Sequence, residues 1–159
     1  MSSGLTVATL GTNVRHANHD KELMMPRKVI DCGNCSPDYS AIRRMIEGNF
    51  DAVVLQTDGP EDTLARLQDE EIALICVNRK LDRDYSDGLE VIKQIKADTR
   101  GASIPVMLVT NYEEHQQAAM ALGAARGFGK LVLADPRTLA LLEPFLGEPR
   151  SSTANVGSK

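Results

Sequence analysis

The chain reads as an α/β protein, a doubly wound five-stranded parallel sheet with helices on both faces. Two observations carry this. Between residues 27 and 147, five short apolar runs alternate one by one with five segments of helical character. The apolar runs are also continuous, as in Ile72-Ala-Leu-Ile-Cys-Val77, whereas a strand with one wet face would alternate apolar and polar residues. Strands covered on both faces have this pattern, and that favours a parallel sheet.

Each element has its own signal. Lys28-Val-Ile-Asp-Cys-Gly33 predicts the first strand, and Ser36-Pro37 an N-cap followed by proline at the first helical position. Ile42, Met45 and Ile46 form the apolar stripe of that first helix. Ala52-Val-Val-Leu55 predicts the second strand. Gly59-Pro60-Glu61-Asp62 opens the second helix, its acids complementing the helix dipole and Leu64 and Leu67 facing inward. Ile72–Val77 is the third strand, and Gly88–Lys96 the third helix, with Leu89, Val91, Ile92 and Ile95 buried. Ile104–Val109 gives the fourth strand, its proline near the start where a missing donor is tolerated. Glu113–Leu122 gives the fourth helix, closed by Gly123. Arg126–Gly129 predicts a short fifth strand, and Asp135-Pro136 caps a last helix carrying Leu139, Leu142 and Leu146.

Residues 1–26 are expected to form an N-terminal extension, in which Leu5–Leu10 could add a strand. Residues 27–147 form the domain, and 148–159, small and polar, a flexible tail or linker. The 159 residues are 42% hydrophobic and 25% charged, the balance of one globular domain. A net charge of −4 argues against a general nucleic-acid binder, and the absence of tryptophan against a base-stacking platform. No apolar run approaches the roughly 18 residues of a membrane span, and the N-terminus lacks the basic start of a signal peptide. Three cysteines do not make a disulfide framework, so a reducing, cytoplasmic setting is expected.

Ligands of such sheets bind beyond the carboxyl ends of the strands. The residues there are Gly33, Asn34, Thr57, Asn78, Thr110 and Lys130. Three stretches add specificity: Asp87-Gly-Leu-Glu-Val-Ile-Lys-Gln-Ile-Lys96, Ser103-Ile-Pro-Val-Met-Leu-Val-Thr110 and Ala121-Leu-Gly-Ala124. Together they resemble the receiver domains of bacterial two-component response regulators, over roughly residues 27–146. The resemblance implies a flavodoxin-like (βα)5 fold with strand order 2-1-3-4-5.

In that family two adjacent acids after the first strand hold Mg²⁺, an aspartate after the third takes a phosphoryl group, and a Thr or Ser and a Lys after the fourth and fifth bind its oxygens. Phosphoryl transfer needs an oxygen nucleophile with a cation and donors on the equatorial oxygens. The carry-over here is partial. Thr110 and Lys130 match, although Leu131 stands where a proline usually follows the lysine. Gly33-Asn34 fall at the acidic pair, and Asn78 at the phosphoacceptor, before a longer loop than usual. Gly127 falls at the family's switch aromatic, with Phe128 beside it on the opposite face. An amide forms no acyl phosphate, and Mg²⁺ prefers carboxylate oxygens. The resemblance therefore implies a degenerate pseudo-receiver: a protein–protein interaction module of a signalling pathway, not an enzyme, with no cofactor and no metal. Its first candidate surface lies on the fourth helix, fifth strand and fifth helix, around Tyr112, His115, Gln116, Phe128 and Arg137. The partner is another signalling protein, and a homodimer through the same face is an option.

Two alternatives stay open. An active receiver could use a displaced acceptor, Asp82 or Asp84. Cys32-Gly-Asn-Cys35, a CxxC ahead of a helix, could serve thioredoxin-like thiol–disulfide exchange, but the antiparallel hairpin of that fold is not visible. From the family's strand order Cys32 and Cys76 are expected side by side and reduced. His16, His19, Asp20 and Glu22 read as a solvated stretch rather than a metal site.

Overall fold

The computed structural model describes residues 25–151; the expectations for residues 1–24 and 152–159 lie outside them. The elements are β1 (Arg27–Cys32), α1 (Ser36–Asn49), β2 (Ala52–Thr57), α2 (Pro60–Asp69), β3 (Leu74–Asn78), α3 (Gly88–Ala97), β4 (Val106–Val109), α4 (Glu113–Ala121), a 3-10 turn (Lys130–Val132) and α5 (Pro136–Leu146). The four strands form one sheet in the order β2-β1-β3-β4, every pairing parallel. The fold is flavodoxin-like, as the strand–helix alternation predicts.

Strand side chains alternate between two cores. Val29, Val54, Leu74, Cys76, Met107 and Val109 pack with Ile42 and Ile46 of α1 and Leu142 and Leu146 of α5. Ile30, Cys32, Ile75, Val77, Val106 and Leu108 pack with Val91, Ile92 and Ile95 of α3, Ala119 of α4 and, at the margin, Leu64 and Leu67 of α2. Registers correct one expectation. Cys32 pairs with Val77, and Cys76 with Asp31. The two cysteines therefore lie on opposite faces of the sheet, not side by side; both are buried and free.

Capping follows the sequence closely. Asp135 accepts from Arg137 N at 2.8 Å and Asp87 from Leu89 N at 2.9 Å. In α1 the cap moves one residue upstream: Cys35 is the N-cap and Ser36 already helical, because Pro37 fits either of the first two helical positions. Downstream of α5, Arg150 N donates to Asn49 O at 2.6 Å, so the beginning of the expected tail is pinned against the end of α1.

The fifth strand differs most from expectation. Residues 125–128 do run beside β4, with Ala125 N bonded to Val106 O (2.9 Å) and Thr110 N to Phe128 O (3.0 Å), but only one bridge, Met107 to Ala125, forms. The cause is Gln116 of α4. Its Nε2 donates to Leu108 O (3.1 Å) and Thr110 O (3.3 Å), while its Oε1 accepts from Gly127 N (2.8 Å). The side chain thus takes the donor and acceptor that the middle of a β4–β5 ladder would use. Gly127 lies so close to Leu108 that a Cβ there would strike the Leu108 carbonyl; an aromatic side chain has no room at that position.

Candidate functional site

The loops after β1, β3 and β4 and the 3-10 turn meet at the carboxyl edge of the sheet. The predicted residues gather there, but each has its own partner. Asn78 closes β3. Its Nδ2 donates to Lys80 O (2.7 Å) and Gly33 O (3.3 Å), and its Oδ1 accepts from Arg79 N (3.0 Å). Both ends of the amide are consumed by backbone.

The loop that follows folds back on itself. Lys80 and Asp87 form an antiparallel bridge, Leu81 N bonds Ser86 O (3.0 Å) and Gly88 N bonds Arg79 O (2.9 Å). Arg79 Nη1 reaches Asp87 Oδ1 at 3.1 Å. Leu81 is fully buried and packs onto Gly33, whose φ of +85° and lack of a Cβ permit the contact. Asp82 N donates to Gly33 O at 2.9 Å. Gly33 O therefore receives both Asn78 and the loop, and the loop is stitched down over the β1–α1 connection. Gly88 is required for a similar reason: a Cβ would strike the Asn78 carbonyl.

Asn34 turns inward. Its Nδ2 donates to Asp31 Oδ1 at 2.6 Å, and both residues are buried. Asp31 Oδ2 and Asn34 Oδ1 have no hydrogen-bond partner. Burial pushes the Asp31 carboxyl up to about 6, against the lowering effects of Asn34 and of the Lys130 charge. Lys130 does not reach Asn78. Its Nζ lies 2.7 Å from Asp38 Oδ2, and this bond holds the Asp38 carboxyl below the usual carboxylate range. The fold gives Lys130 Asp38 at contact distance and Asp31 within electrostatic reach. Thr110 is also engaged elsewhere, with His115 Nδ1 and Tyr112 N, each at 3.3 Å. Among the described residues no hydrogen bond joins Asn78, Thr110 and Lys130 to one another.

Leu81, a lone apolar residue in a polar loop, is the participant the sequence does not signal. Asp31, a charged residue within an apolar strand run, and Asp38, in the first turn of α1, are legible as the only carboxylates near Gly33-Asn34, but nothing local indicates their partners.

The donor set does not suit a divalent cation. Asn78 Oδ1 is turned to Arg79 N, Asp38 is bound by Lys130, and Asp31 is one buried carboxylate held by an amide. Mg²⁺ needs several accessible oxygens in near-octahedral array, usually with carboxylates among them. Of the displaced candidates, Asp84 is exposed and accepts from Ser86 N (2.9 Å), and Asp82 is exposed. The cysteine pair lacks a redox setting as well. Burial raises the Cys32 thiol, and among the described residues the sheet is wholly parallel, without the antiparallel hairpin of the thioredoxin kind.

An open groove of about 630 Å³ lies between α4 and α5 over the 126–129 segment. Phe128, Leu141, Leu131 and Val132 give it apolar walls, and the pairs Glu113–Arg126 and Asp135–Arg137 sit at its rim. Of the five residues expected on this face, Tyr112 and Arg137 are exposed and His115 is partly covered. Gln116 and Phe128 are buried, the first by its bonds to β4 and the second by the α1/α5 core, so they form the floor rather than the surface. Leu131, 84% exposed, takes the place they were expected to fill.

No protein-family model matches the chain. Among solved structures it is similar to the Mn²⁺-bound form of response regulator Rcp1, at 17% identity with a TM-score of 0.58, covering 76% of this chain and 95% of that one. It is similar to chemotaxis protein CheY4 of Vibrio cholerae, at 19% identity and a TM-score of 0.61, covering 76% of this chain and 99% of the other. The phosphorylated cyanobacterial phytochrome response regulator RcpA matches at 17% identity and 0.60, over 76% and 94%. No helix among the described residues is long and apolar enough to cross a membrane. The chain has the fold of response regulator receiver domains.

Proposed function

We propose that the protein is a pseudo-receiver: a cytoplasmic signalling module that binds a partner protein without being phosphorylated and without acting as an enzyme. The observation that carries this is the state of the Asn78 amide. It donates to two backbone carbonyls beneath a loop anchored by Leu81. An amide in that position offers no carboxylate oxygen to a phosphodonor, its own oxygen accepts from Arg79 N, and the Asp38 carboxylate is held by Lys130. With the chemistry gone, what the fold still presents is surface. The α4–α5 groove, apolar between two charged rims, is the first face for the partner, and a second copy of the chain is one candidate occupant.

The test is incubation of the full chain with acetyl phosphate and Mg²⁺, followed by intact-mass measurement. No phosphate adduct is expected. A stable, Mg²⁺-dependent adduct would overturn the reading, and peptide mapping would show whether Asp82 or Asp84 carried it.

A further inference from the structure

β2 is one edge of the sheet, and its sequence invites pairing. Ala52-Val-Val-Leu-Gln-Thr57 carries no charge, no proline and no glycine, and Val53, Val54, Leu55 and Thr57 all suit a strand. Uncharged segments of this kind act as templates for further strands when left bare at an edge. The strand itself holds none of the usual protections. It has no lysine or glutamate, and its register with β1 runs unbroken over six pairs, without a bulge.

The outward groups can be named. Arg27 N bonds Asp51 O (3.1 Å) and Gly33 N bonds Thr57 O (2.9 Å). In this parallel register the odd-numbered residues serve β1, while Ala52, Val54 and Gln56 turn their N–H and C=O away from it. At Val54, the middle of the three, side chains of α1 take both groups. The Tyr39 hydroxyl donates to Val54 O at 3.0 Å, and Val54 N donates to Glu47 Oε2 at 2.9 Å. Arg43 Nε holds the other Glu47 oxygen at 3.2 Å, and Tyr39 packs against the core between the sheet, α1 and α5. Val54 and Ala52 are buried in consequence, and Gln56 is exposed.

From this we infer that Tyr39 and Glu47 are a guard that closes the β2 edge against strand pairing with a second copy of the chain. A second copy is the occupant kept out because an antiparallel pair centred on Val54 is self-complementary. Each Val54 would give its N–H and C=O to the other, and no charge in the segment would oppose it. β2 and β4 are opposite ends of the sheet, so this edge is separate from the α4–α5 groove and the inference does not rest on the proposed binding role.

The experiment compares the full chain with Glu47→Ala and with Tyr39→Ala plus Glu47→Ala, by sedimentation over a concentration series and by hydrogen exchange at Val54. The parent should show no pairing through residues 52–56. In the dilute double variant the Val54 amide should exchange roughly tenfold faster or more. As concentration rises, the double variant's mass should double relative to the parent and the amide should regain protection. Glu47→Ala leaves the Tyr39 ring packed; it should show the same in weaker form, and it carries the test if the double variant does not fold. Adding Gln56→Pro removes an outward N–H from the edge and should return either variant to the parent's mass. Folded variants that keep the parent's mass at every concentration would overturn the inference, as would association that Gln56→Pro leaves unchanged or a parent already paired through β2.

Discussion

Lys130 is tied to Asp38, 2.7 Å from its carboxylate, and not to Asn78. The bond joins the 3-10 turn to the first turn of α1 and so fixes the base from which Leu131 and Val132 project into the groove. The cation is thereby spent on a partner within the fold.

The pair is partly exposed, so its energetic value is small. Lys130→Met and Asp38→Asn should each cost about 0.5–1 kcal/mol at neutral pH, and a double-mutant cycle by urea denaturation should give a coupling of similar size. Folding lowers the Asp38 pKa from 3.8. The contribution is therefore present above that value and lost as pH falls through the folded-state pKa. The cycle should show coupling at pH 7 and none once Asp38 is protonated.

Asn78→Asp should not create a working phosphoacceptor. The amide donates to Lys80 O and Gly33 O; a carboxylate donates nothing and would face two carbonyl oxygens. We expect a loss of about 2–3 kcal/mol in denaturant unfolding, the cost of unmade bonds at a half-buried group. Acetyl phosphate should still leave the intact mass unchanged. A phosphorylated Asn78→Asp variant would mean that the Leu81 loop opens more readily than its packing implies.

The strands and most helices were legible because each rests on local pattern: continuous apolar runs, and proline or aspartate at the helix starts. The failures are non-local. Gln116 reads as one more polar residue of an amphipathic helix, yet it lies in the sheet edge because Gly127 leaves room for it. Leu81 sits among Arg79, Lys80, Asp82 and Arg83 and reads as solvated, yet it is fully buried because Gly33 offers a flat surface across a loop. Asp31 was visible as a carboxylate near the site. That it lies opposite Cys76 follows only from the β1–β3 register, and its bond to Asn34 only from the way the chain turns after β1. Sequence located the edge of the sheet where the site lies, and the pairings within it required the fold.

Gln116→Leu tests the clamp. The substitution keeps the volume roughly constant but strands Leu108 O and Gly127 N, both bonded to the side chain. Buried unpaired groups make this costly, about 2–3 kcal/mol. Hydrogen exchange should localise the effect, with the Gly127 amide losing protection while amides of β1 and β3 keep theirs. Uniform loss across the sheet would show that the 125–128 segment folds only together with the rest.

Asp31 should make the protein less stable as pH rises from about 4 to about 6. Its folded-state pKa of about 6 lies above the reference 3.8. The unfolded chain thus releases this proton before the folded one does. The stability it contributes is complete below 3.8 and is lost by the time pH passes 6. At about 1.4 kcal/mol per unit the difference reaches up to about 3 kcal/mol. Asp31→Asn removes the titration and supplies a donor where Oδ2 has no partner, beside the equally unpaired Asn34 Oδ1. The variant should therefore be more stable than the parent at pH 7.5, by about 1–3 kcal/mol, and should match it near pH 4. Chemical denaturation at the two pH values measures both differences. Equal stability at pH 7.5 would mean that the Lys130 charge compensates the buried carboxylate fully.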